Sequence, residues 1–286
     1  VLWKKDLNEV YNIRMPIWGI AAAPLIYEDL VILQIGGDDG ACIVAVDKET
    51  GEEEWTALRD RASYSAPILI RQAGEDVVVC WTGDSVAGLD PETGKVHWRV
   101  PFPSRKMPIG IATPVVSGNL LFVTSFYDGS LMVKLASDRL AAEKLWHRVG
   151  RSERDTDALQ SIIATPLFLG DYVYGVDSYG ELRCLNAADG DRIWEDHTAT
   201  PRARWSNIHM VQNGERTWMF NERGELLIAK LSPEGFTEID RTRVIEPTTE
   251  QLRQRGGVCW AHPAFAEKCL FIRNDEKLIC VDLEAD

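Results

Sequence analysis

Residues 44–55 read VAVDKETGEEEW, an apolar strand-like run followed by an Asp, a Thr-Gly turn and, eight residues after the Asp, a Trp. The same order returns at residues 86–98 (VAGLDPETGKVHW) and, with Asn186 in place of the Asp, at residues 182–194 (LRCLNAADGDRIW). An Asp or Asn side chain accepts hydrogen bonds from backbone amides ahead of it, and Gly adopts the positive φ that such a turn needs. The stretch therefore predicts a strand, a tight turn and a second strand that carries the Trp.

The spacing of these hairpins indicates a longer repeat. Successive Trp residues lie 43, 48 and 48 residues apart along the series Trp55, Trp98, Trp146 and Trp194. A second marker, a small residue two positions before a proline, opens an apolar run at Pro24, Pro67, Pro114, Pro166 and Pro263, and Ile208 replaces the proline in one further copy. Each repeat has room for four strands, and a four-stranded antiparallel unit of about 45 residues is typical of a β-propeller blade.

The two ends of the chain complete this prediction. The chain begins with the strand-like Val1-Leu2-Trp3 and ends with a strand-like run at residues 278–282, so we expect the N-terminal strand to complete the last blade and leave no open edge. The expected fold is an all-β propeller of about six four-stranded antiparallel blades, in a single domain over residues 1–286. The residues expected to shape the turns and fill the gaps between blades are Trp3, Trp55, Trp98, Trp146, Trp194, Asp47, Asp90, Asp282, Gly51, Gly94 and Gly190.

The Asp-x-x-Thr-Gly-x-x-x-Trp element, present at residues 47–55 and 90–98, resembles a known family motif. It is similar to the quinoprotein-type repeat, the tryptophan-docking motif of pyrroloquinoline quinone (PQQ) dehydrogenases and of the propeller lipoprotein of the outer-membrane assembly machinery. The resemblance covers nearly the whole chain and implies a propeller fold. It leaves function open, because the family includes enzymes, scaffolds and uncharacterised secreted bacterial proteins.

The enzymatic members of that family set specific requirements. Quinoprotein alcohol dehydrogenases typically have eight blades, adjacent cysteines over the quinone, a bound Ca²⁺ and a catalytic Asp, whereas this chain has no Cys-Cys dipeptide and its repeat Asp residues are explained by turns. The five histidines show no metal-ligand spacing, although His209 and His262 flank the start of the first strand in their repeats. We therefore expect no catalytic residue, no bound metal and no cofactor. The alternative is a PQQ- and Ca²⁺-dependent dehydrogenase-like enzyme or a carbohydrate-active enzyme that uses the axial funnel.

Composition limits the partners and the compartment. The net charge of −13 and the pI of about 4.9 argue against nucleic-acid binding. No apolar run approaches the roughly 18 residues of a membrane span. The six cysteines fall in strand-like runs and are expected to be buried thiols. We expect a monomer in the periplasm or another extracytoplasmic compartment.

The arginines are unevenly distributed along the chain. The connections that follow each Trp strand hold 14 of the 21 arginines and a net charge of +6; they span residues 4–21, 56–63, 99–111, 147–163, 195–205 and 240–258. Arg and aromatic side chains around a mouth suit an anionic or sugar-like ligand. We therefore expect a non-catalytic binding or scaffolding propeller whose basic rim receives a protein or an anionic or carbohydrate partner. The predicted ligand-binding residues are Tyr64, Trp205, Trp260, His262, Arg151, Arg154, Arg202, Arg204, Arg253 and Arg255.

Overall fold

Antiparallel hairpins account for almost all of the regular structure. The computed structural model describes residues 1–248 and 256–284, in which 23 β-strands accompany one five-residue helix, α1 (Leu7–Tyr11). In every sheet each strand pairs antiparallel with the next strand along the chain, and there are six sheets. The all-β class and the count of six sheets are therefore confirmed. No helix among the described residues is long and apolar enough to cross a bilayer.

The chain divides into two compact units, of which the first covers residues 1–160. This unit contains α1 and three four-stranded sheets, whose strands we call A to D in chain order. The three sheets are β1 (Leu25–Tyr27), β2 (Leu30–Gln34), β3 (Ile43–Asp47) and β4 (Glu53–Ala57); β5 (Ile68–Gln72), β6 (Glu75–Trp81), β7 (Ser85–Leu89) and β8 (Val96–Pro101); and β9 (Val115–Ser117), β10 (Leu120–Ser125), β11 (Gly129–Leu135) and β12 (Ala142–Arg148).

The second unit begins at Ser161 and also contains three sheets. Two have four strands, and the last has three among the described residues. They are β13 (Leu167–Leu169), β14 (Tyr172–Val176), β15 (Leu182–Asn186) and β16 (Arg192–Asp196); β17 (Ile208–Asn213), β18 (Arg216–Asn221), β19 (Glu225–Ser232) and β20 (Gly235–Arg243); and β21 (Ala264–Ala266), β22 (Cys269–Arg273) and β23 (Leu278–Asp282).

The apolar core lies between neighbouring sheets of each unit. In the first unit, Val79 and Trp81 of β6 share a buried cluster with Leu121 of β10 and Leu131 of β11. In the second, residues of β14 and β15 cluster with residues of β18 and β19. Strands B and C are the most buried strands of the β5–β8 and β13–β16 sheets, because they are covered on both faces.

The turn between strands C and D has the chemistry that the sequence predicts. The Asp47 carboxylate accepts hydrogen bonds from the backbone amides of Thr50 (2.7 Å) and Glu49 (2.9 Å), and Gly51 has φ +72°. Hydrogen bonds from Thr50 lower the pKa of Asp47. Asp90 and Asn186 form the same turn, with Gly94 at φ +68° and Gly190 at φ +78°, and Asp282 accepts a hydrogen bond from the Glu284 amide at 2.9 Å.

Trp55 and Trp3 each pack onto the turn glycine of another repeat. The Trp55 indole donates to the Pro91 carbonyl at 3.1 Å and covers Gly94 so closely that a Cβ there would lie 2.4 Å from the Trp55 ring. Trp3 makes the same contact, donating to the Lys48 carbonyl at 2.9 Å and covering Gly51. Two features therefore favour glycine at these positions: the positive φ, and the indole ring that leaves no room for a Cβ.

A β-bulge accompanies the Trp in strand D. The register between strands C and D shifts next to the residue that faces the Trp in four sheets, as at Ala45 opposite Trp55 and Cys184 opposite Trp194. Bulges redirect side chains and increase twist. The fifth sheet keeps the bulge but has Asp240 opposite Ile228 at this position, which identifies the residue that replaces the Trp.

Three expectations need correction. Val1–Trp3 do not form the expected strand, and the sixth sheet has three strands among the described residues. Of the Trp series, Trp55 and Trp98 are buried, whereas Trp146 and Trp194 are half-buried. The cysteines are not all buried: Cys269 is half-buried and Cys280 is exposed, because they lie in the three-stranded sheet.

Candidate interaction surface

Turns and connections meet at one end of each sheet. Because strands A to D alternate in direction, the B–C turn and the connection that leaves strand D lie at the same end, which we call the loop edge. In the first unit, the backbone confirms this: Gly83 of a B–C turn donates to the Arg61 carbonyl at 2.8 Å, and Tyr64 donates to the Gly110 carbonyl at 2.9 Å. The loop edge therefore combines charges from two kinds of loop.

Arginines of the connections pair with aspartates of the B–C turns. Arg61 makes a bidentate ion pair with Asp84 (2.7 Å) and also donates its backbone amide to that carboxylate at 2.7 Å. Arg105 repeats the arrangement with Asp128, through an ion pair of 3.6 Å and a backbone hydrogen bond of 2.9 Å. Burial alone would raise the pKa of Asp84, but the hydrogen bonds and charge of Arg61 outweigh it and lower that pKa.

These ion pairs lower the net positive charge expected for the basic rim. The net charge of +6 was counted over the connections alone, and the B–C turns place acids beside them at the same edge. Arg202 pairs with Glu181 of a B–C turn at 3.4 Å, and Arg151 pairs with Asp155 of its own connection at 2.6 Å. Much of the predicted positive charge is therefore compensated within each unit, so a purely electrostatic attraction of an anionic ligand loses much of its basis.

The first connection, residues 4–21, is anchored by hydrogen bonds and exposes apolar side chains beyond that anchor, which we call its base. The base is Asp38, whose backbone amide donates to the Tyr11 carbonyl (2.9 Å) and whose carboxylate accepts from Asn12 Nδ2 (2.6 Å). Beyond it, the side chains point into solvent: Ile17 is 73% exposed and Trp18 is 62% exposed. We call Met15, Ile17, Trp18 and Ile20, all exposed, the apolar tip.

Tyr64 packs against Trp18 of the apolar tip. Its buried ring lies 5.7 Å from the Trp18 ring, and its hydroxyl accepts a hydrogen bond from the Trp18 amide at 3.4 Å. A cavity of about 520 Å³ lies in the same loop edge and is lined by residues that include Arg14, Pro16, Asp38, Arg59 and Pro108. An ordered loop that exposes several large apolar side chains beside a polar cavity has the makeup of a protein-binding surface.

In the second unit, a buried polar cluster joins two of the predicted residues. The Trp260 indole donates to the fully buried Glu222 carboxylate at 3.3 Å, and the Trp260 carbonyl contacts His209 Nε2 at 3.3 Å. The ring of His262, which is exposed, lies 4.0 Å from that of His209. Burial, with a smaller contribution from His262, lowers the pKa of His209 to about 3, so that its imidazole is neutral at physiological pH.

Asn207 lies beside this cluster in sequence and is the residue that the sequence analysis did not single out. It occupies the position before Ile208 that His262 occupies before Pro263, and it is fully buried. Neither atom of its carboxamide has a hydrogen-bond partner in the described part of the chain. The Asn207 carboxamide therefore offers its NH₂ donors and its carbonyl acceptor to a water or a small polar ligand. Aligning the repeats by their strand-A positions would have identified Asn207, whereas no sequence motif marks it.

Two of the remaining predicted residues, Arg204 and Trp205, contact each other. Trp205 has a positive φ of +68°, and the Arg204 guanidinium stacks over its ring at 4.5 Å. Arg154 is exposed, with its backbone amide donating to Ser152 Oγ at 3.2 Å. Arg253 and Arg255 lie outside the described residues. The binding roles of these side chains stay predictions.

Among the described residues, no group of three or more His, Cys, Asp or Glu side chains is arranged to hold a metal ion.

Comparison with known proteins identifies the family. The family model described as "Outer membrane protein assembly factor BamB" matches residues 73–285, about three quarters of the chain. The chain belongs to this family. A curated family member, the outer membrane protein assembly factor BamB of Shewanella oneidensis, is 25% identical over 198 residues, which cover 68% of this chain and 48% of the relative. The chain thus spans about half the length of that relative.

Solved structures agree on the fold. The crystal structure of BamB from Moraxella catarrhalis is similar with a TM-score of 0.60 and 18% identity, over 92% of this chain and 72% of that one. The β-propeller domain of Cps50 (Swd1) from Myceliophthora thermophila is similar with a TM-score of 0.55 and 14% identity, over 92% and 83% of the two chains. At these identities the likeness establishes the β-propeller fold and carries no information on partners.

Proposed function

We propose that this chain is a non-catalytic scaffold that binds a protein partner during outer-membrane protein assembly, in an extracytoplasmic compartment. Membership of the family supports the general role. The observation that carries the proposal in this chain is the apolar tip, because its large apolar side chains are exposed close together in one loop. Solvent exposure of Ile17 and Trp18 is unfavourable unless a partner covers them.

The proposed docking surface is the loop edge of the first unit, with the apolar tip at its centre. Aromatic anchors at the centre of an interface contribute most of the binding free energy, whereas charges at its rim mainly affect association rate. Trp18 is suited to the anchor role because Tyr64 and the hydrogen bond to its backbone hold it in place before binding. Arg14, with 87% of its side chain exposed, lies at the rim.

The test is a binding measurement with the purified outer-membrane protein assembly complex of the organism that encodes this chain. We expect Ile17→Glu and Trp18→Ala each to weaken binding at least about tenfold, because anchor residues contribute about 2 kcal/mol or more. Ile239→Glu is the matched control, since Ile239 is 46% exposed on β20, and it should bind like the parent. Equal affinities for all four proteins, or no binding by the parent, would contradict the proposal.

The predicted arginines provide a separate arm of this test. Arg151→Glu combined with Arg154→Glu reverses two exposed charges of one connection. Weaker binding by this variant, together with a steep loss of affinity as salt rises, would assign recognition to the arginine rim instead of the apolar tip. We expect a change below about threefold, because Arg151 is already paired with Asp155 and exposed pairs contribute little.

A further inference from the structure

Two of the six cysteines differ from the others in their surroundings. Cys42, Cys80, Cys184 and Cys259 are buried, whereas Cys269 is half-buried and Cys280 is exposed. Burial raises the pKa of the Cys184 and Cys259 thiols to about 11, and that of Cys80 further, so these four are unreactive at neutral pH. Only the last two, within the described residues, are open to chemistry from solvent.

The strand register places Cys269 and Cys280 on one face of the sixth sheet. Cys269 of β22 faces Asp282 of β23, and Cys280 faces Phe271. Residues two apart in a strand share a face, so the two cysteines are diagonal neighbours across an antiparallel pair. Diagonal Cα atoms lie about 7–8 Å apart with the Cβ atoms closer. Interaction with the Cys280 thiol raises the pKa of Cys269, as expected for two thiols that share a face of the sheet.

The position of β23 allows the small approach that a disulfide needs. A disulfide requires Cα atoms at about 4.4–6.8 Å, slightly less than the usual diagonal separation. β23 is the last strand of its sheet and has no fourth strand beside it among the described residues. An outer strand that is bonded on one side can shift by this amount more readily than a central strand.

We propose that Cys269 and Cys280 form a redox-active pair that closes into a cross-strand disulfide between β22 and β23 when the protein meets a disulfide oxidant. This inference does not depend on the proposed binding function. It assigns a modification site to the sixth sheet, and the bond would join its outer strand covalently to the neighbouring one.

The exposed thiol reacts first. The Cys280 thiolate attacks one sulfur of a small-molecule disulfide such as oxidised glutathione, which forms a mixed disulfide and releases one glutathione thiol. The Cys269 thiolate then attacks Cys280 Sγ and releases the second glutathione thiol. Two protein thiols are oxidised, one external disulfide is reduced to two thiols, and the two protons pass to the released glutathione. The raised pKa of Cys269 disfavours its thiolate, so the exposed Cys280 is the first nucleophile and Cys269 is the resolving thiol.

The experiment oxidises the purified full chain with excess oxidised glutathione. We expect the free thiols counted in denaturant to fall from six to four, the mass to fall by about 2 Da, and non-reducing digestion to yield one peptide pair linking Cys269 to Cys280. The Cys269→Ser variant should stop at a stable glutathione adduct on Cys280. The Cys280→Ser variant should form no linked pair.

Three outcomes would overturn the proposal. They are six thiols that remain free, a persistent glutathione adduct on Cys280 of the parent protein without a linked pair, and a Cys280–Cys280 bond between two chains. Because thiol counts and peptide maps are read on unfolded protein, a variant that folds poorly still gives an interpretable result.

Discussion

The contact between Trp55 and Gly94 permits a quantitative test of how the repeats are joined. Gly94→Ala has two costs in this structure. The first is backbone strain at φ +68°, about 1–2 kcal/mol for a residue with a Cβ. The second is overlap of the new Cβ with the Trp55 ring at 2.4 Å, which overpacks a buried contact and costs about 1–3 kcal/mol. The total loss is about 2–5 kcal/mol in the parent protein.

Removing the indole should remove the second cost alone. Trp55 is 7% exposed, so Trp55→Ala itself should lower the free energy of unfolding by about 3–5 kcal/mol. In that background Gly94→Ala should cost only the strain of about 1–2 kcal/mol. The double-mutant cycle therefore has a coupling energy of about 1–3 kcal/mol. Urea unfolding of the four proteins, extrapolated linearly, measures it.

Gly74 gives the matched control. It has φ +87°, and a Cβ there would meet no atom within 4 Å, so Gly74→Ala carries the strain without the overlap. Its cost should be about 1–2 kcal/mol with or without Trp55. If Gly94→Ala costs the same in both backgrounds, or no more than Gly74→Ala, then the indole does not hold the turn and our account of the repeat junction is wrong.

Three further predictions follow from the charges and the domain organisation. The pKa of His209 is about 3 in the folded state and 6.5 in the unfolded state, so the unfolded state gains a proton as pH falls below 6.5. The free energy of unfolding should therefore drop by about 2 kcal/mol from pH 7 to pH 5. His209→Gln should flatten this pH dependence, and His197→Gln, at an exposed site, should not. Asp84→Asn should lower the free energy of unfolding in urea by about 1–2 kcal/mol, because it loses hydrogen bonds to Arg61. Asp138→Asn, in an ion pair that is 71% exposed, should lower it by less than about 0.5 kcal/mol. Equal losses would refute a stabilising role for the Arg61–Asp84 pair. We propose that residues 1–286 act as one domain, so calorimetry should record one unfolding transition, and two separated transitions would contradict this.

Local features of the fold could be predicted from the sequence because their causes are local. The Asp47 turn needs only residues 47–51, and the repeat spacing follows from the recurrence of that turn. The pairing of Arg61 with Asp84 could not be predicted in this way, since it joins residues 23 apart whose loops meet only after the sheets form. Counting charge over one kind of loop therefore overestimated the positive potential of the rim.

The candidate surface was predicted only in part for a similar reason. Tyr64 was singled out as an aromatic near a mouth, but its contact with Trp18 joins residues 46 apart and depends on how the first connection folds back. The exposure of Cys280 likewise depends on the neighbours of β23, which is paired on one side only among the described residues, and the alternating apolar pattern of residues 278–282 does not reveal this. Exposure of an apolar side chain is a property of the assembled chain.

Site-specific photo-cross-linking in the cell envelope of the native organism tests the proposed binding surface most directly. A photoreactive phenylalanine analogue replaces Ile17 in the apolar tip, and a second protein carries it instead of Leu145, which is 41% exposed on β12. We predict an adduct between position 17 and a protein of the outer-membrane assembly machinery, identified by mass spectrometry, with little adduct from position 145. No adduct from position 17, or the same adduct in equal yield from position 145, would contradict the account.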